Sequence, residues 1–101
     1  MSSPKQRQLT LSPRAHQDFI DILRFTGETW GPDPLQTYGD KINDALHAIG
    51  ENLQLGHLRD DLPPTHLAYL VGSHIIIYRV RGDAVAVVRI LHQRMSPAKH
   101  V

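Results

Sequence analysis

The side chains in this sequence best suited by type and spacing to do chemistry are arginines and a histidine. Arg79, Arg81, Arg89, His92 and Arg94 lie close together near the C-terminal end. Guanidinium groups present fixed forks to phosphate or carboxylate, and an imidazole beside them can move a proton near neutral pH. His92 with Arg79 and Arg89 could therefore cleave RNA without a metal, or the same arginines could dock an acidic protein. Other constellations fail. Gly50, Gly56, Gly72 and Gly82 stand singly and build no phosphate loop. His66 and His74 are eight residues apart, as are His92 and His100, which is not the spacing of ligands on one helix face. No serine sits in a nucleophile elbow. Asp60 and Asp61 fall in a polar loop, where solvation accounts for them. No cysteine is present, so disulfides and thiolate sites are excluded, and no metal or cofactor is expected.

The elements that must position these groups can be read from periodicity. Residues 6–11 alternate weakly and predict a first strand. Ser12-Pro13 is a helix start, because the hydroxyl can accept from free backbone N–H groups and proline fits the first turn. Ala15, Phe19, Ile22, Leu23 and Thr26 then recur at helical spacing, and Gly31-Pro32 ends the run. Asp33-Pro34 opens a second helix whose stripe is Leu35, Tyr38, Ile42, Ala45, Leu46, Ile49 and Leu53. Residues 54–65 hold Gly56, Asp60-Asp61 and Pro63-Pro64 and predict a loop. Three β-rich runs follow, 66–71, 74–80 and 84–91, the last two joined by the turn Arg81-Gly82-Asp83. The expected fold is α+β, in the order β-α-α-β-β-β. A helical hairpin covers one face of a mainly antiparallel four-stranded sheet, in a single domain over residues 1–101.

Composition narrows the function classes. The chain has 101 residues, of which 41% are hydrophobic and 21% charged, as in ordinary water-soluble domains. No run reaches the roughly 18 apolar residues that a membrane span needs. Residues 1–7 lack the apolar centre of a signal peptide, so a cytoplasmic location is expected. Charge is uneven: residues 1–53 carry five basic and seven acidic side chains, whereas residues 54–101 carry six and three. Five of the seven histidines also lie in the second half. An anionic partner, acidic protein or nucleic acid, would match that half.

Strand alternation suggests where a partner could bind. One face of the third strand carries Ile75, Ile77 and Arg79, and one face of the fourth carries Val85, Val87, Arg89 and Leu91. Two helices can cover only one side of the sheet. Burying unpaired guanidinium groups is costly, so the arginine-bearing face is assigned outward. Ile75, Ile77, Val85, Val87 and Leu91 are then expected to form an open apolar patch, unless residues 54–65 or the tail fold back over it.

Several local patterns occur in a fixed order. Residues 72–80 read Gly-Ser-His-Ile-Ile-Ile-Tyr-Arg-Val, and residues 88–95 read Val-Arg-Ile-Leu-His-Gln-Arg-Met. Upstream are Leu11-Ser12-Pro13 with Ala15 and Asp18, then Trp30-Gly31 and Tyr38. Taken together, this set resembles ParE toxins of the ParE/RelE toxin–antitoxin superfamily, over residues 9–100. The resemblance implies the RelE-type fold just described, an antitoxin of ParD type that wraps the toxin, and DNA gyrase as target. It assigns Ile75, Ile77, Arg79, Val85, Val87, Arg89 and Leu91 to the antitoxin. Trp30 at the hairpin tip, with Arg89, His92, Arg94 and Met95, is the expected gyrase contact, and no covalent chemistry is expected. Two other readings remain at this point: a ribosome-dependent ribonuclease using His92, Arg79 and Arg89, or a non-toxic antitoxin-binding module. The sequence departs from the family in Thr65-His66-Leu67, where a glycine-aromatic-arginine step is usual, so Leu67 stands in place of arginine. Ser96 replaces a common aspartate.

Overall fold

The computed structural model describes residues 9–101. The N-terminal stretch read for a signal peptide, and the start of the first predicted strand, lie outside the described residues. The elements are β1 (Leu9–Leu11), α1 (Pro13–Trp30), α2 (Pro32–Glu51), β2 (His66–Val71), β3 (His74–Arg81) and β4 (Ala84–His92), with a closing 3-10 turn at Pro97–Lys99. The sheet order is β1-β4-β3-β2, with β1 parallel to β4 and the other pairs antiparallel. Element order and layering agree with the sequence.

Ser12 caps α1 as its type suggests. Its Oγ accepts from the Ala15 N–H at 3.0 Å and donates to the Val88 carbonyl at 2.8 Å, which ties the helix start to β4. The two helices are separated by Gly31 alone, at φ 95°, a conformation that disfavours any side chain. Their stripes bury Ala15 and Ile22 from α1, and Ile42, Ala45, Leu46 and Ile49 from α2, against Ile76, Tyr78, Val85, Val87 and Ile90 of the sheet. Fully buried isoleucines such as Ile42, Ile49 and Ile76 each contribute about 1.5–3 kcal/mol.

The expected open face is corrected in two respects. First, a β-bulge interrupts the β3–β4 ladder: Ile77 pairs with Arg89, yet Tyr78 pairs with Val87, so Val88 is an extra residue. One inserted residue reverses the side-chain phase. Val85 and Val87 therefore face the helices beside Ile90, not the side that holds Leu91. Second, the far side is covered. Residues 52–65 fold back, and Leu62 packs on Ala68, Ile75, Ile77 and Leu91 in a second cluster. Ile75, Ile77 and Leu91 are consequently buried.

The covering loop is anchored at several points. Tyr78 Oη donates to the Leu53 carbonyl at 3.1 Å and accepts from the Gly56 N–H at 2.8 Å. His57 and Ala68 exchange a pair of backbone hydrogen bonds, extending the outer edge of β2. Leu58 and Leu70 remain exposed, and Leu70 lines a groove of about 350 Å³ with His57, Arg59, Ala68, Ile75 and Gln93. That groove is what remains of the apolar face expected from alternation.

Candidate functional site

The arginine–histidine cluster does not assemble. Arg79 and Arg81 are exposed at one end of β3, where Arg79 sits opposite Ala86 and Arg81 opposite Ala84. His92 lies at the other end, paired with His74. Along β3 the Arg79 rung lies five residues from the His74 rung, roughly 17 Å at the rise of a β-strand.

Arg89 is buried, and its charge is satisfied internally. Its Nε and Nη2 donate to both oxygens of Asp18 at 2.8 and 2.9 Å, and its Nη1 donates to the His100 carbonyl at 3.0 Å. Asp18 accepts a further bond from the Ile90 N–H at 3.0 Å, on the β4 edge beyond β1. Hydrogen bonding to Asp18 holds the guanidinium even more firmly in its charged form. The expectation that Arg89 stands on an open surface is thus corrected: α1 supplies the partner that makes its burial tolerable, and the tail supplies a carbonyl.

Two of the residues expected to contact a target do meet. Trp30, from the end of α1, and His92, from the end of β4, line the same cavity of about 500 Å³. Its walls come from α1 (Phe25, Thr26), α2 (Pro34, Thr37, Tyr38, Lys41) and the β2–β3 turn and β3 (Ser73, His74). Phe25 and Trp30 are 65% and 69% exposed, which is unusual for large aromatic side chains. Arg94 and Met95 follow in the exposed turn after β4. Arg94 N–H donates to His92 Nδ1 at 3.1 Å, which fixes that ring.

The cavity floor is held by Tyr38. Its hydroxyl accepts from the Ser73 N–H at 3.0 Å and lies 2.6 Å from His74 Nδ1, with the Val71 carbonyl farther off at 3.4 Å. Donor and acceptor in the Tyr38–His74 bond follow from the imidazole tautomer, and the hydroxyl can also donate to the Val71 carbonyl. Burial, with a smaller contribution from His92, holds His74 below the usual histidine range. The His74 ring also stands edge-on to both Tyr38 and His92, at centroid distances of 5.5 and 5.3 Å. Gly72 makes this close approach possible: at φ 57°, any Cβ would lie 2.7 Å from the Tyr38 ring.

Sequence reasoning missed Phe25, Lys41, Ser73 and His74 as parts of this site. Phe25 offered a signal, being an aromatic residue off the α1 stripe and near Trp30. Lys41 offered none, because a lysine on the polar side of a helix is ordinary. Leu67, which stands where the family pattern has arginine, packs against the helix-side core. His66 is buried on the other face, with Thr65 Oγ1 2.9 Å from its Nδ1. Burial, and then Arg79, lower its tendency to protonate. Among the described residues, no three histidine or acidic side chains converge to hold a metal. Nor is any helix among the described residues long and apolar enough to cross a membrane.

Comparison with known proteins agrees with this architecture. Residues 9–97 match the family model described as ParE toxin of type II toxin-antitoxin system, parDE. The chain is 35% identical over 87 residues to Toxin ParE1 of Mycobacterium tuberculosis, covering 85% of this chain and 89% of that one. It is 31% identical over 91 residues to Toxin ParE1 of Caulobacter vibrioides, covering 90% and 94%. Among solved structures, it superposes on a chain of the chromosomal ParDE TA system from P. aeruginosa with a TM-score of 0.74 and 17% identity, covering 86% and 96%. A YoeB dimer from Staphylococcus aureus gives 0.62 and 18%, covering 87% and 98%. At those identities the structures establish the fold alone.

Proposed function

Because the chain belongs to the ParE toxin family of type II toxin–antitoxin systems, we propose that it inhibits DNA gyrase by direct contact and is neutralised by a ParD-like antitoxin. It acts in the cytoplasm and makes or breaks no covalent bond of its target. The target is the one that the family resemblance implies. The observation that carries binding over cleavage is the placement of the charged groups. A metal-free ribonuclease must gather cations and a proton-transfer group around one phosphate. Here Arg79 stands roughly 17 Å along the sheet from His92, and Arg89 is neutralised by Asp18. Trp30 and His92, by contrast, meet at one open cavity, with Arg94 and Met95 in the exposed turn beyond β4. That end of the molecule is the gyrase-binding surface.

The antitoxin occupies the opposite face. Its contacts are the groove lined by the exposed Leu70, with Ile75 in its wall, and the exposed arginines Arg79 and Arg81 at the far end of β3. Ile77 and Leu91 support this surface from within the fold, whereas Val85 and Val87 belong to the helix side. An apolar segment with acidic residues at one end complements it.

The test is a supercoiling assay with purified gyrase, run beside a cell-free translation assay. Inhibited supercoiling with intact translation is expected. Blocked translation with unaffected supercoiling would overturn the reading. Loss of neither would leave an antitoxin-binding module without a toxic activity.

A further inference from the structure

The cavity at the helix turn combines an apolar wall with unused hydrogen-bond donors. Trp30, Phe25 and Pro34 supply the wall, and no carboxylate lines it. The ion pairs among the described residues are Arg24–Asp21, Arg59–Asp61 and Arg89–Asp18. Lys41 takes part in none of them, so the cavity wall includes a lysine without an acidic partner. His92 is turned to the same use. Its Nδ1 accepts from the Arg94 N–H, so in the neutral ring the hydrogen sits on Nε2. Among the described residues no buried side-chain nitrogen lacks a partner, so an unpaired Nε2–H there is open to solvent. His74 Nδ1 is paired with the Tyr38 hydroxyl, and burial disfavours the charged form of that ring.

We propose that this cavity binds an apolar side chain, preferably aromatic, that carries or adjoins a carboxylate, with the carboxylate received by Lys41 and the His92 Nε2–H. The ligand is a residue pair of the target protein. In that respect the inference rests on the contact reading above, while the chemistry of recognition rests on the cavity. An aromatic body gains from burial against Trp30 and Phe25, and a charged head gains only where donors await it.

Trp30 is the single tryptophan, so fluorescence excited selectively at tryptophan reports this cavity. The test titrates the full chain with 3-phenylpropionate and with its neutral amide at millimolar concentrations. The acid is expected to shift Trp30 emission and to bind roughly tenfold more tightly than the amide, the usual effect of a charge-assisted hydrogen bond. Lys41→Gln should bring the acid down to the affinity of the amide, and Lys41→Arg should restore most of the difference. Equal affinities in the parent chain, or an unchanged Trp30 emission, would overturn the proposal. A second arm adds 3-phenylpropionate to the supercoiling assay, where it should relieve inhibition. Binding without relief would overturn the assignment of the ligand to the target. Normal discrimination by a chain that never inhibits gyrase would instead remove the contact reading and leave the ligand chemistry intact.

Discussion

Asp18→Ala tests whether Arg89 is structural. Arg89 figured in every functional reading of the sequence, yet in the structure it is locked inside. The variant removes the acceptor of two guanidinium bonds and of the Ile90 N–H. The guanidinium cannot shed its proton, and its side chain is only 9% exposed, so a charge is left buried with the His100 carbonyl as its remaining partner. Breaking one side of a buried pair costs about 3–5 kcal/mol, and the surviving carbonyl places this case near 3. For a chain of this size that is a fall in Tm of roughly 12–24 °C. Urea and thermal unfolding followed by circular dichroism measure it. Asp18→Leu combined with Arg89→Met should recover most of the loss and keep gyrase inhibition, because an apolar pair can replace a buried ionic one. Asp61→Asn, at the solvent-exposed Arg59–Asp61 pair, should leave the midpoint unchanged. A loss below about 1 kcal/mol for Asp18→Ala, the range of surface pairs, would refute the reasoning.

Three further outcomes are expected. Tyr78→Phe leaves the buried Gly56 N–H and the Leu53 carbonyl without their partner, for a loss of about 1–3 kcal/mol and faster amide exchange at Gly56; unchanged exchange would contradict the loop anchor. Gly72→Ala forces a left-handed backbone and displaces Tyr38, costing about 1–3 kcal/mol by thermal melt. Stability should fall as the pH drops below the ordinary histidine value of 6.5, because unfolded His66 and His74 take up protons that the folded chain resists. Measured between pH 7.5 and 5, that slope should flatten in a His66→Asn, His74→Asn variant.

Much of the fold was legible because local signals agreed with one another. Ser12-Pro13 marked a capped helix start, the α2 stripe had a clean helical period, and the short turn Arg81-Gly82-Asp83 joined the β-branched run 74–80 to 84–91 as a hairpin. The faces of β4 were not legible. An inserted residue such as Val88 leaves no compositional mark, yet it returned Val85 and Val87 to the helix side. The cover over Ile75, Ile77 and Leu91 was hidden for another reason. A loop with a glycine, paired aspartates and paired prolines looks solvated, and only Tyr78 and the His57–Ala68 bridge show that it is fastened down. Arg89 was misplaced because its partner, Asp18, lies far away in sequence. Trp30 and His92 were identified from the family pattern. Phe25, Lys41 and His74 needed the three-dimensional juxtaposition of α1, α2 and β3.

Gyrase supercoiling measured with Trp30→Ala tests the central claim most directly. Trp30 is 69% exposed, so the variant should unfold at the temperature of the parent chain. It should nevertheless need at least about tenfold more protein for the same inhibition, as expected when an aromatic anchor is removed from an interface. A folded Trp30→Ala chain that inhibits gyrase as well as the parent would contradict the account.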